Sequence, residues 1–219
     1  MNGRESIRPI LLFMLVSLGG CAIYGAAELA NEITQLRRNL PPELVWMNDW
    51  NKETWKRGYS AASLNRDIIE YVRPPETVQN WTEMLTMTVD WKTTKVYSYP
   101  GGVTFSEVPN PTIMMETIKI SNQNSCAQPS TFQFLDEDKS GYYPSVTFYL
   151  ACAQFRSPAP SASEAQVYKV FQGKHGLHSL IRARRAASLD KDTLTEWTQY
   201  MTQFYLCDTR VSGHECPKK

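Results

Sequence analysis

Residues 165–184 read AQVYKVFQGKHGLHSLIRAR, two alternating apolar runs on either side of a glycine-containing turn. Ala165–Phe171 and Leu177–Arg184 are rich in β-branched, aromatic and other apolar residues at alternate positions, as strands are. Residues 172–176, QGKHG, place two glycines where a hairpin has to turn. The stretch therefore predicts an antiparallel β-hairpin.

Further strands and two helices are predicted on either side of this hairpin. The predicted strands are Ile68–Val72, Met84–Trp91, Phe132–Leu135 and Val146–Cys152, the last two joined by the acidic turn DEDKSGYYP. A first helix is predicted over Thr112–Ser121, after two prolines. A second helix is predicted near the C-terminus, with Asp190 or Asp192 as its cap and an apolar stripe at Leu194, Trp197, Met201 and Phe204 or Tyr205. This order predicts an α+β fold in which an antiparallel sheet of about six strands packs with two helices as a two-layer sandwich.

The N-terminus has the pattern of an export signal. Two arginines precede Ile10–Leu18, an apolar run too short for the roughly 20 residues that a membrane-spanning helix needs. The run ends in Leu18-Gly19-Gly20-Cys21, which resembles the lipobox of bacterial lipoproteins. The resemblance implies that Cys21 is lipidated and becomes the new N-terminus. With Ala22 rather than Asp after it, it also implies an outer-membrane anchor on a body that faces the periplasm. Two alternatives are a body exported to the cell surface and a plain signal peptide with a chance cysteine.

These patterns divide the chain into four parts. Residues 1–20 are the expected signal peptide. Residues 21–59 form an anchor and linker with a short helix and a Trp-rich segment. Residues 60–206 form the α+β domain, and residues 207–219 form a C-terminal tail tied by a disulfide.

The cysteine count supports an oxidising compartment. If Cys21 carries lipid, an even set remains, namely Cys126, Cys152, Cys207 and Cys216. An even set in an exported protein indicates disulfides, and four cysteines allow three pairings. Cys207 with Cys216 would tie down the polar tail, and Cys126 with Cys152 would then join a helix end to a strand. The sequence does not decide between the pairings.

The charge balance argues against a nucleic-acid partner. The chain has 23 basic and 22 acidic residues, and removal of residues 1–20 leaves 21 of each. A nucleic-acid interface normally needs a basic face. The arginines at 182, 184 and 185 are expected to be a solvated rim at the end of a strand.

The segment Asn80-Trp81-Thr82-Glu83-Met84-Leu85-Thr86 is the most distinctive motif of the domain. Together with the strands around VYKVFQGKHGLHSLIRARR it resembles uncharacterised exported proteins and lipoproteins of Gram-negative bacteria, a group that implies a fold and a compartment but no reaction. From the residues alone, Asn80 is expected to hold a turn, Trp81 to plug the sheet edge and Thr82 to favour the strand that follows. Glu83 could act as an acid or base, but a structural role is favoured because no histidine or carboxylate stands near it in sequence.

Metal and nucleophile patterns are weak. His175 and His178 are three apart, which places strand residues on opposite faces of a sheet. Asp136–Gly141 begins like a calcium loop but lacks its final glutamate, so an acidic turn is the better interpretation. No hydrolase elbow or phosphate-binding loop is present in the sequence. We therefore expect no metal, no cofactor and no catalytic residues.

These patterns predict a protein that works by binding. We expect a lipid-anchored outer-membrane protein that is a binding or structural subunit of an envelope assembly, such as a secretion or conjugation system. The first interface candidates are Trp46, Trp50 and Trp55, together with the tail. The alternative is a small-ligand carrier or periplasmic enzyme with a pocket between sheet and helices.

Overall fold

The hairpin of residues 165–184 lies inside a seven-stranded antiparallel sheet in the computed structural model of the chain. The structure describes residues 44–47, 54–63, 66–91, 95–98, 104–107, 110–139, 143–156, 162–208, 212–213 and 215–216. For residues 44–47, 95–98 and 104–107 it describes the backbone alone. All described residues belong to one compact unit, Leu40–Lys219.

Eleven strands and two helices are found among the described residues. The strands are β1 (Leu44–Met47), β2 (Lys56–Ala62), β3 (Arg66–Val72), β4 (Glu83–Trp91), β5 (Lys95–Ser98), β6 (Thr104–Glu107), β7 (Thr131–Asp138), β8 (Ser145–Cys152), β9 (Glu164–Gln172), β10 (Gly176–Arg184) and β11 (Phe204–Cys207). The helices are α1 (Pro111–Ser125) and α2 (Lys191–Thr202). The large sheet has the order β2-β3-β4-β10-β9-β8-β7, and β1 pairs with β11 and β5 with β6 in two separate two-stranded sheets.

The predicted antiparallel α+β fold is confirmed, but the strand count was too low. All six predicted strands are present, and β2 adds a seventh at the edge next to β3. Its sequence, KRGYSAA, has no apolar alternation and every residue in it is exposed. A strand that buries no side chain leaves no period-two signal in the sequence.

The two helices begin at polar caps that the sequence shows clearly. The Asn110 side chain accepts a hydrogen bond from the Ile113 backbone N–H at 2.9 Å, with Pro111 in the first turn. Asp190 caps α2 by accepting from the Thr193 backbone N–H at 2.8 Å.

The apolar stripe of α2 is shorter than predicted. The helix ends at Thr202, and Phe204 and Tyr205 belong to β11, which pairs with residues 44–47. A partner strand that lies about 160 residues away leaves no local trace in the sequence.

The helices cover opposite faces of the sheet, so the two-layer prediction was wrong. Met115 of α1 packs with even-numbered residues of β8 and β9 such as Phe148. Trp197 of α2 packs with odd-numbered ones such as Tyr149 and Val167. Successive side chains of a strand point to opposite faces, so the sheet is the middle of three layers. Accordingly, every residue of β8 is buried.

The central strands approach each other closely at the turn of the hairpin. The Gly173 N–H donates to the Gly176 carbonyl at 2.9 Å, which closes the turn between β9 and β10. A Cβ at Gly176 would lie 2.6 Å from the Asp90 carbonyl oxygen of β4. Position 176 therefore requires glycine so that β4 can pair along the whole of β10.

Candidate functional site

The NWTE motif lies at one end of the sheet, where a turn leads into β4. The Asn80 N–H donates to the Thr77 carbonyl at 3.0 Å, and the Thr77 N–H donates back to the Asn80 carbonyl at 3.2 Å. The Thr77 hydroxyl also accepts from the Asn80 N–H at 3.2 Å. The backbone of Asn80 and the Thr77 hydroxyl therefore hold this turn, whereas the Asn80 side chain was predicted to do so.

Trp81 and Thr82 fix this turn to the end of β10. Trp81 is buried against Val72 and Ala183 on the α1 side of the sheet, and the Arg185 guanidinium lies 4.8 Å from its ring centroid. The Thr82 carbonyl accepts from the Arg185 N–H at 3.0 Å. Trp81 thus fills the end of the sheet between β3 and β10.

Glu83 is the centre of an ion-pair cluster. It is the first residue of β4, lies opposite Arg184 of β10 and is only 8% exposed. Its carboxylate accepts from Arg73 at 2.9 Å, from Arg182 at 3.3 Å and from Arg184. We call Arg73, Glu83, Arg182 and Arg184 the Glu83 cluster.

The surroundings of Glu83 keep its carboxylate ionised. Burial acts to raise the pKa of Glu83, but the hydrogen bond from Arg184 and the charges of Arg182 and Arg73 outweigh burial and lower the pKa below its ordinary value. A general base works best with a pKa near the operating pH, and a general acid needs a proton to give. Glu83 meets neither condition, so it acts as a structural anion.

Aromatic rings hold the arginines of the cluster in place. The Arg182 guanidinium lies 4.4 Å from the Trp197 ring and 4.7 Å from the Tyr200 ring. Arg184 lies 5.2 Å from the same Trp197 ring. Such stacking suits arginine because its planar guanidinium is weakly hydrated and binds a π face. The cluster therefore joins β4 and β10 to α2.

The part of Arg182 in the Glu83 cluster differs from the prediction, which placed this arginine in a solvated rim. In the structure its side chain is 6% exposed. The signal was present in the alternation along β10, where His178, Leu180 and Arg182 occupy the same face. Since Leu180 is fully buried, its alternate neighbour Arg182 is also directed toward the core.

A second polar row lies on the other face of the sheet. The Tyr168 hydroxyl donates to the Gln166 side-chain oxygen at 2.6 Å, and the Gln166 amide donates to Glu164. Burial raises the pKa of Glu164, with a smaller contribution from the charge of Glu70. Burial also raises the pKa of Glu70. The row follows a single strand, and among the described residues no group of three or more side chains could hold a metal ion.

His175 and His178 lie at different places on the central hairpin. His175 lies in the turn before β10, whereas His178 is buried within β10 on the α2 side, where it faces Phe171. Among the residues that the structure describes, no three histidine, cysteine or carboxylate side chains come together as metal ligands. Residues 136–138 were predicted to begin an acidic turn, but they belong to β7, so this strand extends beyond Leu135.

Four cysteines form two disulfides, Cys126–Cys152 and Cys207–Cys216. The expectation of disulfide bonding is confirmed, and of the three possible pairings the structure has the one that ties the tail and joins α1 to β8. Cys126 follows the last residue of α1 and Cys152 ends β8, so the first bond fixes α1 to the sheet. Cys21 lies outside the described residues.

Of the three tryptophans predicted as interface residues, the structure describes the side chain of one. Trp55 is 7% exposed and packs in the core below the Arg73 guanidinium, which lies 5.1 Å from its ring. A buried ring cannot contact a partner, so the expectation that Trp55 forms an interface needs correction. The backbone of Trp46 lies in β1 opposite Tyr205, and Trp50 lies outside the described residues.

Two surface grooves are lined by described residues. One, of about 340 Å³, lies beside the start of α1 and the end of β7. The other, of about 550 Å³, lies between β7 and α2. Neither Glu83 nor His178 lines either groove, so a ligand bound in one of these two grooves would not contact them.

No model of a known protein family matches this chain, and no curated protein matches it significantly. In the part of the chain that the structure describes, neither helix is long and apolar enough to cross a membrane.

Proposed function

We propose that this chain is a lipid-anchored lipoprotein of the bacterial outer membrane that faces the periplasm and acts as a binding or structural subunit of an envelope assembly. The observation that carries the proposal is that Glu83 is held in a structural ion-pair cluster. The one carboxylate in the NWTE motif, which the sequence offered as an acid or base, is neutralised by three arginines and serves to join the sheet to α2.

The packing of the domain supports a binding role over a carrier or enzyme role. Trp197, Leu85, Leu180 and Met201 fill the space between the sheet and α2, and each is fully buried. Ligand pockets are usually concave, largely apolar and equipped with a few convergent polar groups. Glu83 and His178, the two polar groups that a ligand pocket was expected to use, line neither groove.

The two disulfides support export. Disulfides persist in oxidising compartments such as the periplasm and are rare in the reducing cytosol. The lipobox-like stretch that ends at Cys21 supports the anchor. Several acyl chains on one cysteine hold a protein to a membrane far more firmly than a single chain does.

The anchor is tested by labelling cells with an alkyne-tagged fatty acid and comparing the native chain with Cys21→Ser. We expect label on the native chain, recovery in the outer-membrane fraction, and neither for the variant. A native chain that carries no lipid would remove the lipoprotein part of the proposal.

The binding role is tested on protein solubilised from envelopes in a mild detergent. Light scattering coupled to size-exclusion chromatography gives the protein mass of the particle. We expect a mass well above the 25.0 kDa of the chain and a second protein in the same peak. A particle that contains one copy of this chain alone would count against a subunit of an assembly.

A further inference from the structure

The three arginines of the Glu83 cluster share one carboxylate. The Oε1 atom of Glu83 accepts from two nitrogens of Arg184. The Oε2 atom accepts from Arg73 at 2.9 Å and from Arg182 at 3.3 Å. A guanidinium carries five N–H donors, and each of these arginines uses only one or two of them on Glu83. The cluster therefore has more donors than the Glu83 carboxylate can accept.

Arg73 and Arg184 present part of this donor surface to solvent. Their side chains are 41% and 35% exposed. Arg182 is 6% exposed and has Glu196 as a second carboxylate at 3.6 Å. In the described part of the chain, the ion pairs of Arg73 and Arg184 all go to Glu83. One carboxylate does not neutralise both guanidiniums, so their exposed side favours a second anion.

Buried tryptophan rings hold the two exposed guanidiniums in place. Arg73 lies 5.1 Å from the ring centroid of Trp55, and Arg184 lies 5.2 Å from that of Trp197. Both rings are buried, with 7% and 0% exposed. A guanidinium that is already fixed by a stacked ring and an ion pair loses little conformational freedom when it binds a ligand. The two arginines are therefore preorganised donors.

The shape of the donors indicates which anion they fit. The planar fork of a guanidinium matches two oxygens of a phosphate or carboxylate. A phosphate group carries more negative charge than a carboxylate, and its oxygens point in several directions, so that one group is able to contact two forks. Glu83 already joins Arg73 and Arg184 from the core side. A phosphate group is suited to join them from the solvent side.

We propose that Arg73 and Arg184 form a binding site for a phosphate group, either inorganic phosphate or the headgroup of an anionic phospholipid, which bridges the two guanidiniums on their solvent-exposed side. This site goes beyond the proposed binding of an envelope partner and does not depend on it.

The test follows the side-chain Nε–H signals of arginine by NMR in the isotope-labelled full-length chain, held in an uncharged detergent. Inorganic phosphate is titrated at constant ionic strength, with chloride as the balancing anion, so that screening stays the same. A parallel titration uses a soluble short-chain phosphatidylglycerol, with the matching phosphatidylcholine as its control. We expect saturable shifts of the Arg73 and Arg184 signals with phosphate, with phosphatidylglycerol or with both.

Two lysine variants separate a specific site from general attraction between charges. Arg184→Lys keeps the charge but removes the fork, so we expect it to weaken binding at least about fivefold. Arg57→Lys is the matched control, because Arg57 is an exposed arginine of β2 that donates to Ser60 outside the cluster. It should change binding less than about twofold. If Arg184→Lys does not give the spectrum of a folded chain, Arg73→Lys takes its place.

Each outcome decides the proposal. Saturation by inorganic phosphate alone supports a site for the free anion, and saturation by phosphatidylglycerol alone supports a site for a lipid headgroup. Shifts that never saturate, equal shifts with phosphatidylcholine, or equal weakening by Arg184→Lys and Arg57→Lys would overturn the site. Crosslinks to an envelope partner in a chain that binds no phosphate would overturn this site and leave the proposed function standing.

Discussion

Replacement of Glu83 by Gln tests the role of the Glu83 cluster. The variant keeps the size of the side chain and an oxygen that can accept a hydrogen bond, but it removes the only buried negative charge of the cluster. Among the described carboxylates, Arg182, which is 6% exposed, then keeps Glu196 at 3.6 Å, a side chain that is 69% exposed. The substitution therefore leaves a buried cation poorly compensated.

The expected cost follows from the exposure of each pair. Loss of one partner of a buried ion pair costs about 3–5 kcal/mol, and loss of an exposed pair costs about 0–1 kcal/mol. Arg73 and Arg184 are 41% and 35% exposed, so water compensates them in part. We expect Glu83→Gln to lower the free energy of unfolding by about 3 kcal/mol, or Tm by roughly 6–12 °C.

The pH dependence of this loss has a definite sign. The folded-state pKa of Glu83 is lowered from its ordinary value of 4.5, so its stabilisation is present above that pH and is lost as pH falls through the lower folded-state pKa. The difference between the native chain and Glu83→Gln should be full at pH 7 and should shrink below about pH 4.

Urea unfolding monitored by tryptophan fluorescence, with both disulfides intact, measures these differences. Glu196→Gln is the matched control, and we expect it to cost at most about 0.5 kcal/mol. Adding Arg182→Met to Glu83→Gln should recover part of the loss, because it removes the uncompensated charge. Equal stability of Glu83→Gln and Glu196→Gln at pH 7 would refute the structural role of the cluster.

Three further substitutions test other parts of the fold. Replacing Cys126 and Cys152 together by Ala opens a loop of 26 residues and should cost about 3.5 kcal/mol by chain entropy, measured by urea unfolding; a cost below about 1 kcal/mol would show that the bond is dispensable. Burial raises the pKa of Glu164, so the stability contributed by its protonated form is lost as pH rises through that pKa. Glu164→Gln should therefore be as stable as the native chain below pH 4.5 and more stable than the native chain at pH 8. A variant less stable than the native chain at pH 8 would contradict this. Asp190→Ala removes the cap of α2 and should lower Tm, whereas Asp190→Asn, which can still accept the capping hydrogen bond, should change Tm little; equal effects would contradict capping.

Local patterns in the sequence were sufficient for most of the secondary structure. The alternation in residues 165–184 predicted the central hairpin, and Asp190 was one of two residues proposed to begin the last helix. Both signals act over a few residues, which is the range of side-chain alternation and of capping hydrogen bonds. The pairing of β1 with β11 depends on contacts between distant residues, so it left no such signal.

The sequence contains a pattern that indicates three layers, although two layers were predicted. Residues 146–152, VTFYLAC, are apolar at nearly every position, which is typical of a strand covered on both faces. That pattern favours helices on opposite sides of the sheet, as the structure shows.

The partners of Glu83 were missed for a different reason. The prediction for Glu83 considered only histidines and carboxylates nearby in the sequence, whereas its partners are arginines about 10 and 100 residues away. Alternation along β10 places Arg182 on the core side of the sheet, but only the pairing of β4 with β10 shows that Glu83 lies beside it. The site thus depends on register, which the sequence alone did not give.

The most direct measurement of the central claim is chemical crosslinking with mass spectrometry on native envelopes that contain the full-length chain. If the chain is an envelope subunit, we expect repeated crosslinks from the described domain to one protein or to a small set of proteins. The same crosslinks should form with the Glu83→Gln variant at a temperature at which that variant is folded. Crosslinks that reach only abundant porins in proportion to their amount, or none at all, would contradict the claim that this protein works by binding a partner.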